Sequence, residues 1–234
     1  MANWRLAILV FAGCCAASTA PAQTVVGPDS KPGRYNRLHD MAARPTPTIA
    51  PAKPDVFGTA AIGAGVTFYD ARFRRVSVAD RDHPEIRALA EPLRGLPPEQ
   101  QLAAAQSAVA KRVRWTHDLD NMRVADFWSN AAETLQRGTG DSEDIAIVVM
   151  QVLKAAGFSP RDLYLSIGRH RQAGTHVVLL ARTPSGFMMI DDRAGRPLPA
   201  TAEALFSPVM TVGLGKSWLH GRRLSGASAH ASAR

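Results

Sequence analysis

The chain is almost free of cysteine. Cys14 and Cys15 are the only two among 234 residues, and they are adjacent near the N-terminus. If the segment that holds them is removed, the mature protein has no thiol at all. Disulfides, thiolate metal sites and a thiol nucleophile are then excluded together.

The first residues have the pattern of an export signal. Met1–Arg5 carries one positive charge, Leu6–Ala12 is an apolar run too short to span a bilayer, and Ala20-Pro21-Ala22 offers small residues for cleavage. We therefore predict a signal peptide over residues 1–22. This predicts a mature protein that is periplasmic or secreted.

A lipid anchor is the alternative fate of this N-terminus. Phe11-Ala12-Gly13-Cys14 approximates a lipobox, although Phe is an unusual first residue for one. In that case Cys14 would be retained as the anchored residue, and the protein would be held at the membrane. We favour the soluble form.

Positive charge exceeds negative charge, with a formal net charge of +8. An excess of this size suits an acidic partner or an anionic envelope surface, but a solvated basic surface explains it equally well. The basic residues are not interleaved with aromatic ones, so a nucleic-acid partner is not indicated. We expect a monomer with a protein substrate or partner.

Composition divides the chain into four parts. Residues 1–22 are the predicted signal, and residues 23–56 form a Pro-rich arm that predicts an extended segment. A single domain is predicted over 57–224, followed by a frayed Ala/Ser-rich tail over 225–234.

Within the domain, helical spacing comes first and strand spacing follows. Pro98 opens one predicted helix, residues 130–136 form a short one, and residues 142–156 form the central one. Strands are then predicted at 163–167, 177–181, 187–190 and 209–212, with a hairpin turn at Thr183-Pro184-Ser185-Gly186. This order indicates an α+β fold with the central helix packed on a small antiparallel sheet.

Ser142, His176 and Asp191 are the candidate catalytic residues. Ser142 lies at the start of the central helix, where unpaired N–H groups and the helix dipole favour an anion. A hydroxyl there stays protonated unless His176 accepts its proton, with Asp191 orienting the imidazole. The simpler interpretation is a helix-capping Ser, a packed His and a turn-forming Asp.

Three carboxylates surround Ser142 in the sequence, those of Asp141, Glu143 and Asp144. Acidic residues in a first helical turn complement the dipole and need no further role. They are also the ligands that Ca²⁺ prefers, if other oxygens complete its shell. Both interpretations remain open from spacing alone.

Several motifs together resemble the bacterial transglutaminase-like cysteine proteinases. An aspartate-bearing stretch precedes Trp128, and Gly140-Asp141-Ser142-Glu143-Asp144-Ile145-Ala146 matches the segment that opens the family's helix. His176-Val177-Val178-Leu179, Ile190-Asp191-Asp192 and Trp218 follow in the family's order. The match covers roughly residues 109–222.

The resemblance implies a papain-like fold with a Cys-His-Asp triad. Relatives of this kind are calcium-dependent periplasmic proteases that trim large surface adhesins and so release biofilm cells. It assigns calcium ligation to Asp141, Glu143 and Asp144, the general base to His176 and the orienting acid to Asp191. The nucleophile position is Ser142 instead of Cys, and Asp192 stands where the family has Asn.

Three hypotheses follow for function. The favoured one is a catalytically impaired homologue that keeps cation and substrate binding in the envelope. The alternative is an active endopeptidase that uses Ser142, His176 and Asp191 through an acyl-enzyme. A third is that Ser142 is an introduced replacement of a catalytic Cys.

Overall fold

The computed structural model describes residues 50–78, 82–123, 126–201 and 205–222. The predicted signal peptide, the candidate anchor Cys14, most of the Pro-rich arm and the tail lie outside these residues. The described part contains six helices and nine strands, together with short 3₁₀ turns at Glu91–Leu93 and Pro160–Asp162.

The helices precede most of the sheet in the chain. Their bounds are α1 Phe68–Val76, α2 Pro84–Ala90, α3 Pro98–Ala110, α4 Asp118–Met122, α5 Ala131–Arg137 and α6 Ser142–Ala155. Pro97 and Pro98 open α3 as predicted, because proline fits the first helical turn, where no N–H partner is needed. Gly138 ends α5 with φ 68, a left-handed conformation that glycine adopts without a Cβ penalty.

The strands form a seven-stranded antiparallel sheet and one short parallel pair. Their bounds are β1 Thr59–Gly63, β2 Arg114–Trp115, β3 Thr139–Gly140, β4 Leu163–His170, β5 Gly174–Thr183, β6 Gly186–Ile190, β7 Leu198–Pro199, β8 Phe206–Gly213 and β9 Lys216–Arg222. The large sheet has the order β1-β9-β8-β4-β5-β6-β7, and β2 pairs with β3. The α+β prediction is confirmed, although the sheet is larger than expected because β1, β7 and β9 were not predicted.

Each face of the sheet buries its own apolar cluster. Alternate residues of β4 and β5, such as Leu165 and Leu179, pack with the helices, and α6 is the most buried of these. The intervening residues, such as Tyr164 and Leu180, pack with Trp218 on the other face. This period of two is what the strand pattern predicted. It fixes β5 against the start of α6, where the candidate site lies.

The folded part begins before residue 57. Val56 and Phe57 are buried, the Phe57 ring contacts that of Phe206, and the Phe57 N–H is donated to the Ala200 carbonyl. The end of the predicted arm therefore packs on the sheet. Within the described residues, no helix combines the length and apolarity that a membrane crossing requires.

Candidate active site

The turn between β3 and α6 places Ser142 at the first helical position. A Cβ on Gly140 would lie 2.6 Å from the Asp144 Cβ, so only glycine allows this close approach of strand and helix. Asp141 is the N-cap, and its carboxylate accepts the Asp144 N–H at 3.4 Å. The interpretation of Ser142 as the capping residue is therefore wrong, because Asp141 satisfies that amide.

The Ser142 hydroxyl is almost buried and makes two hydrogen bonds. It donates to Glu143 Oε2 at 3.0 Å and accepts the Val177 N–H at 3.2 Å. A hydroxyl has one proton to donate. Because that proton is directed at Glu143, it is not donated to the imidazole of His176.

His176 and Asp191 form a close buried pair. His176 lies on β5 and Asp191 directly follows β6, so the pairing of these two strands brings them together. Nε2 of His176 lies 2.9 Å from Asp191 Oδ1, and each residue is 3% exposed. Asp191 Oδ1 also accepts the Arg193 N–H at 2.9 Å, which fixes the carboxylate.

A second carboxylate touches the same imidazole nitrogen. Asp192 Oδ1 lies 3.1 Å from His176 Nε2, and its side chain is only 8% exposed. The single N–H at Nε2 is directed at Asp191, so this buried Asp192 oxygen has no hydrogen-bond partner. Sequence reasoning noted Asp192 as a departure from the family but did not predict this contact.

The two carboxylates shift the titration of His176. Burial alone would lower its pKa, but the hydrogen bond with Asp191 and the close charges of Asp191 and Asp192 outweigh burial and raise the pKa to about 9. Burial would raise the pKa of Asp191, but hydrogen bonds from His176 and Arg193 hold it below its ordinary value. At neutral pH His176 is an imidazolium, which is a poor acceptor for a serine proton.

A cleft of about 590 Å³ opens beside Ser142. Trp115, Val177, Asp192 and Gln106 are among the residues that line it. The Gln106 side-chain amide donates to the carbonyls of Asp191 and Ala194, so α3 holds the loop that carries the Asp pair. Its volume is within the range typical of ligand-binding pockets.

Three carboxylates converge on one side of the Ser142 turn. Ligand oxygens of Asp118, Asp141 and Glu143 lie within 4.8 Å of one another. Asp118 is 2% exposed, one of its oxygens accepts the Phe127 N–H, and the other is buried with no hydrogen-bond partner. Asp118 was not predicted as a ligand, although the aspartate-bearing stretch before Trp128 contained that signal.

Asp144 lies outside this group of three. Its carboxylate is fully buried, where Oδ1 accepts the Ser129 N–H at 2.8 Å and Oδ2 pairs with Arg137 Nη2 at 2.9 Å. Arg137 also donates to the Ser129 hydroxyl and the Thr139 carbonyl. Asp144 therefore joins α5, β3 and α6 at the base of the site.

Burial and the proximity of other carboxylates raise the pKa values of these acids. Burial, followed by the charge of Glu143, raises the pKa of Asp141 to about 9. Burial also raises the pKa of Glu143 and of Asp118, and it raises that of Asp144 to about 7 despite Arg137. Uncompensated buried carboxylates are costly, and a bound cation would reverse these shifts.

Comparison with solved structures shows the fold. Calcium-bound Legionella pneumophila LapG matches with a TM-score of 0.53 and 22% identity over 70% of this chain and 94% of that chain. Legionella pneumophila LapG in another solved structure matches with a TM-score of 0.51 and 22% identity, covering 67% of this chain and 90% of that one. A search of curated proteins found no match.

Comparison with protein families identifies the matched region. The model of the family described as bacterial transglutaminase-like cysteine proteinase matches residues 93–201, just under half of the chain. That stretch contains the Ser142 turn, the His176–Asp191 pair and all three carboxylates of the cluster. This part of the chain is therefore similar to the bacterial transglutaminase-like cysteine proteinase family.

Proposed function

We propose that the protein is a catalytically impaired member of this family that binds Ca²⁺ and a protein segment. The observation that carries the proposal is the state of Ser142. A hydroxyl occupies the nucleophile position, and its proton is directed at Glu143 and not at His176. The cysteines at positions 14 and 15 are remote in sequence from the matched region.

The impairment has a chemical reason. A thiol at a helix N-terminus beside an imidazolium ionises readily, because both lower its pKa to about 3.5–7.5. A serine hydroxyl in the same place stays protonated and needs a neutral base within reach. Asp191 and Asp192 keep His176 protonated, which suits a thiolate–imidazolium site. The same protonation leaves Ser142 without a general base.

Calcium is proposed at Asp118, Asp141 and Glu143. These residues supply only oxygen donors, which a hard cation prefers, and the buried oxygen of Asp118 lacks any other partner. The similar LapG structure is calcium-bound. Ca²⁺ held by these three residues would offset part of the negative charge of the cluster. The sequence resemblance assigned Asp144 as well, but Arg137 and Ser129 already occupy its oxygens.

The ligand of the cleft is proposed to be a protein segment in the cell envelope, of the surface-adhesin type that the resemblance implies. The predicted signal peptide supports a periplasmic or secreted location. A lipid anchor at Cys14 would place the same domain at the membrane. In either place the impaired site would bind its partner without cleaving it.

One observation favours the alternative of an active serine endopeptidase. His176 and Asp191 keep the 2.9 Å contact that orients an imidazole for catalysis. Rotation of the Ser142 hydroxyl from Glu143 toward His176 would then be required for turnover. The reactivity of Ser142 separates the two functions.

We expect the protein to bind one Ca²⁺ per chain and to lose it when the cluster is changed. Glu143→Gln and Asp141→Asn should each weaken binding by at least about 100-fold, because each removes one of three anionic ligands. Isothermal titration calorimetry with CaCl₂ measures the affinities. At 100 times the Kd, Ca²⁺ should also stabilise the fold by about 2.7 kcal/mol.

Asp120→Asn is the matched control for the calcium titration. Asp120 is an exposed acid on α4, the helix that also begins with Asp118. Its substitution also removes one negative charge, from the helix that carries Asp118, but should leave the Ca²⁺ affinity unchanged. If Glu143→Gln bound Ca²⁺ as tightly as Asp120→Asn, the proposed site would be wrong.

A further inference from the structure

A second group of potential metal ligands lies apart from the carboxylate cluster. Nε2 of His176 lies 2.9 Å from Asp191 Oδ1 and 3.1 Å from Asp192 Oδ1, and the three ligand atoms all fall within 4.8 Å of one another. All three side chains are more than nine-tenths buried. Two carboxylates thus share one imidazole in an interior position.

The buried oxygen of Asp192 is an independent sign of a missing ligand. It has no hydrogen-bond partner, although it faces His176 Nε2. Both carboxylates face the same Nε2, which carries a single N–H, so one N–H serves two buried anionic oxygens. A cation among the three atoms would satisfy both carboxylates and the imidazole together.

The donor set selects the class of ion. One imidazole nitrogen with two carboxylate oxygens suits Zn²⁺ and neighbouring transition metals, whereas the all-oxygen cluster at Asp118 suits Ca²⁺. Tetrahedral Zn²⁺ with bonds near 2.0–2.1 Å separates its ligand atoms by roughly 3.3 Å. The separations of His176 Nε2 from Asp191 Oδ1 and from Asp192 Oδ1, 2.9 Å and 3.1 Å, need to widen by only a few tenths of an ångström.

Neighbouring residues restrain the position of Asp191, one of the three ligands. The Gln172 N–H is donated to His170 Nδ1 at 3.2 Å, which fixes the ring with its Nε2 3.7 Å from Asp191 Oδ2. Gln106 holds the main chain of Asp191. Such partners orient the ligands of metal sites. The cleft that Asp192 lines gives a fourth position access to water.

We propose that His176, Asp191 and Asp192 form a binding site for a divalent transition-metal ion of the Zn²⁺ class. Binding would displace the proton from His176 Nε2 to solvent and place the metal where a peptide carbonyl would otherwise approach the cleft. The site is separate from the proposed Ca²⁺ site and does not depend on it.

Titration of the full-length protein with ZnCl₂, in the presence of saturating Ca²⁺, tests the proposal. Wild type should bind one Zn²⁺, and Asp192→Asn should weaken this binding by about tenfold or more, because it replaces an anionic ligand with a neutral amide. Asp120→Asn should bind Zn²⁺ like wild type. Co²⁺ in place of Zn²⁺ should give a visible absorption spectrum that Asp192→Asn alters.

Two further measurements keep the result decisive. Thermal unfolding without metal checks that Asp192→Asn is folded, and Glu143→Gln should keep its Zn²⁺ affinity while losing Ca²⁺. Absence of Zn²⁺ binding in wild type, or equal affinity in folded Asp192→Asn, would overturn the metal site. Either result would leave the calcium titration, and with it the proposed function, unaffected.

Discussion

Ser142→Cys should convert the protein into an active thiol protease. The substituted thiol would lie at the first position of α6, next to the Val177 N–H and within the same site as the His176–Asp191 pair. Helix N-terminal amides and an imidazolium both stabilise a thiolate. We expect turnover of an unfolded protein substrate to rise about 10³-fold or more over wild type, given what removal of a nucleophile costs in proteases.

The gain should depend on calcium. Glu143 Oε2 lies 3.0 Å from the Ser142 hydroxyl oxygen, and an unneutralised carboxylate at that distance would oppose a thiolate. Ca²⁺ held by Asp118, Asp141 and Glu143 would compensate the charge of Glu143. Assays in transition-metal-free buffer with Ca²⁺ or with a calcium chelator should therefore differ strongly for Ser142→Cys.

Ser185→Cys is the control for a new thiol. Ser185 is exposed in the turn between β5 and β6, so its thiol should be alkylated only at alkaline pH and should give no proteolysis. Ser142→Cys should instead react with iodoacetamide already near pH 6. A folded, calcium-loaded Ser142→Cys that is inert in both assays would mean that the site has decayed beyond its nucleophile.

Arg137→Met should destabilise the fold by about 3 kcal/mol, measured by urea unfolding in saturating Ca²⁺. The guanidinium pairs with Asp144, which is fully buried, and removal of one partner from such a pair leaves an uncompensated charge. Arg137 also donates to Ser129 and Thr139, so α5, β3 and the start of α6 lose a shared contact.

Two variants separate this effect from a general loss of charge. Arg87→Met removes an exposed arginine from α2 and should change stability by less than about 0.5 kcal/mol. Adding Asp144→Asn to Arg137→Met should recover part of the loss, because the amide leaves no charge to bury while still accepting the Ser129 N–H. A loss equal to that of Arg87→Met would show that the pair does not hold the site together.

Local patterns predicted the centre of the fold well. The helical spacing over 142–156 and the alternation from Leu163 onward correspond to α6 and β4, because both depend on which residues face the core. β1 and β9 were not predicted, since TAAIG and KSWLHGR lack a clear alternation of branched apolar residues. These two segments become strands because β1 pairs with β9 and β9 pairs with β8.

The candidate site was likewise predicted only in part from the sequence. Motif order identified Ser142, His176 and Asp191, and the structure places His176 against Asp191. The approach of Asp118 to Asp141, the pairing of Asp144 with Arg137 and the contact of Asp192 with His176 depend on how separate elements meet. Sequence spacing carries no direct information about contacts between separate elements, so these contacts could not be predicted.

Reactivity of Ser142 in the unmodified protein tests most directly the proposal that this site lacks a working nucleophile. The calcium-loaded protein is incubated with a fluorophosphonate probe and analysed by intact-mass and peptide mass spectrometry, with Ser142→Ala as the background. We predict no adduct at Ser142 and no turnover of substrate above that of Ser142→Ala. A stoichiometric adduct at Ser142, with turnover that Ser142→Ala abolishes, would contradict the account and establish a serine endopeptidase.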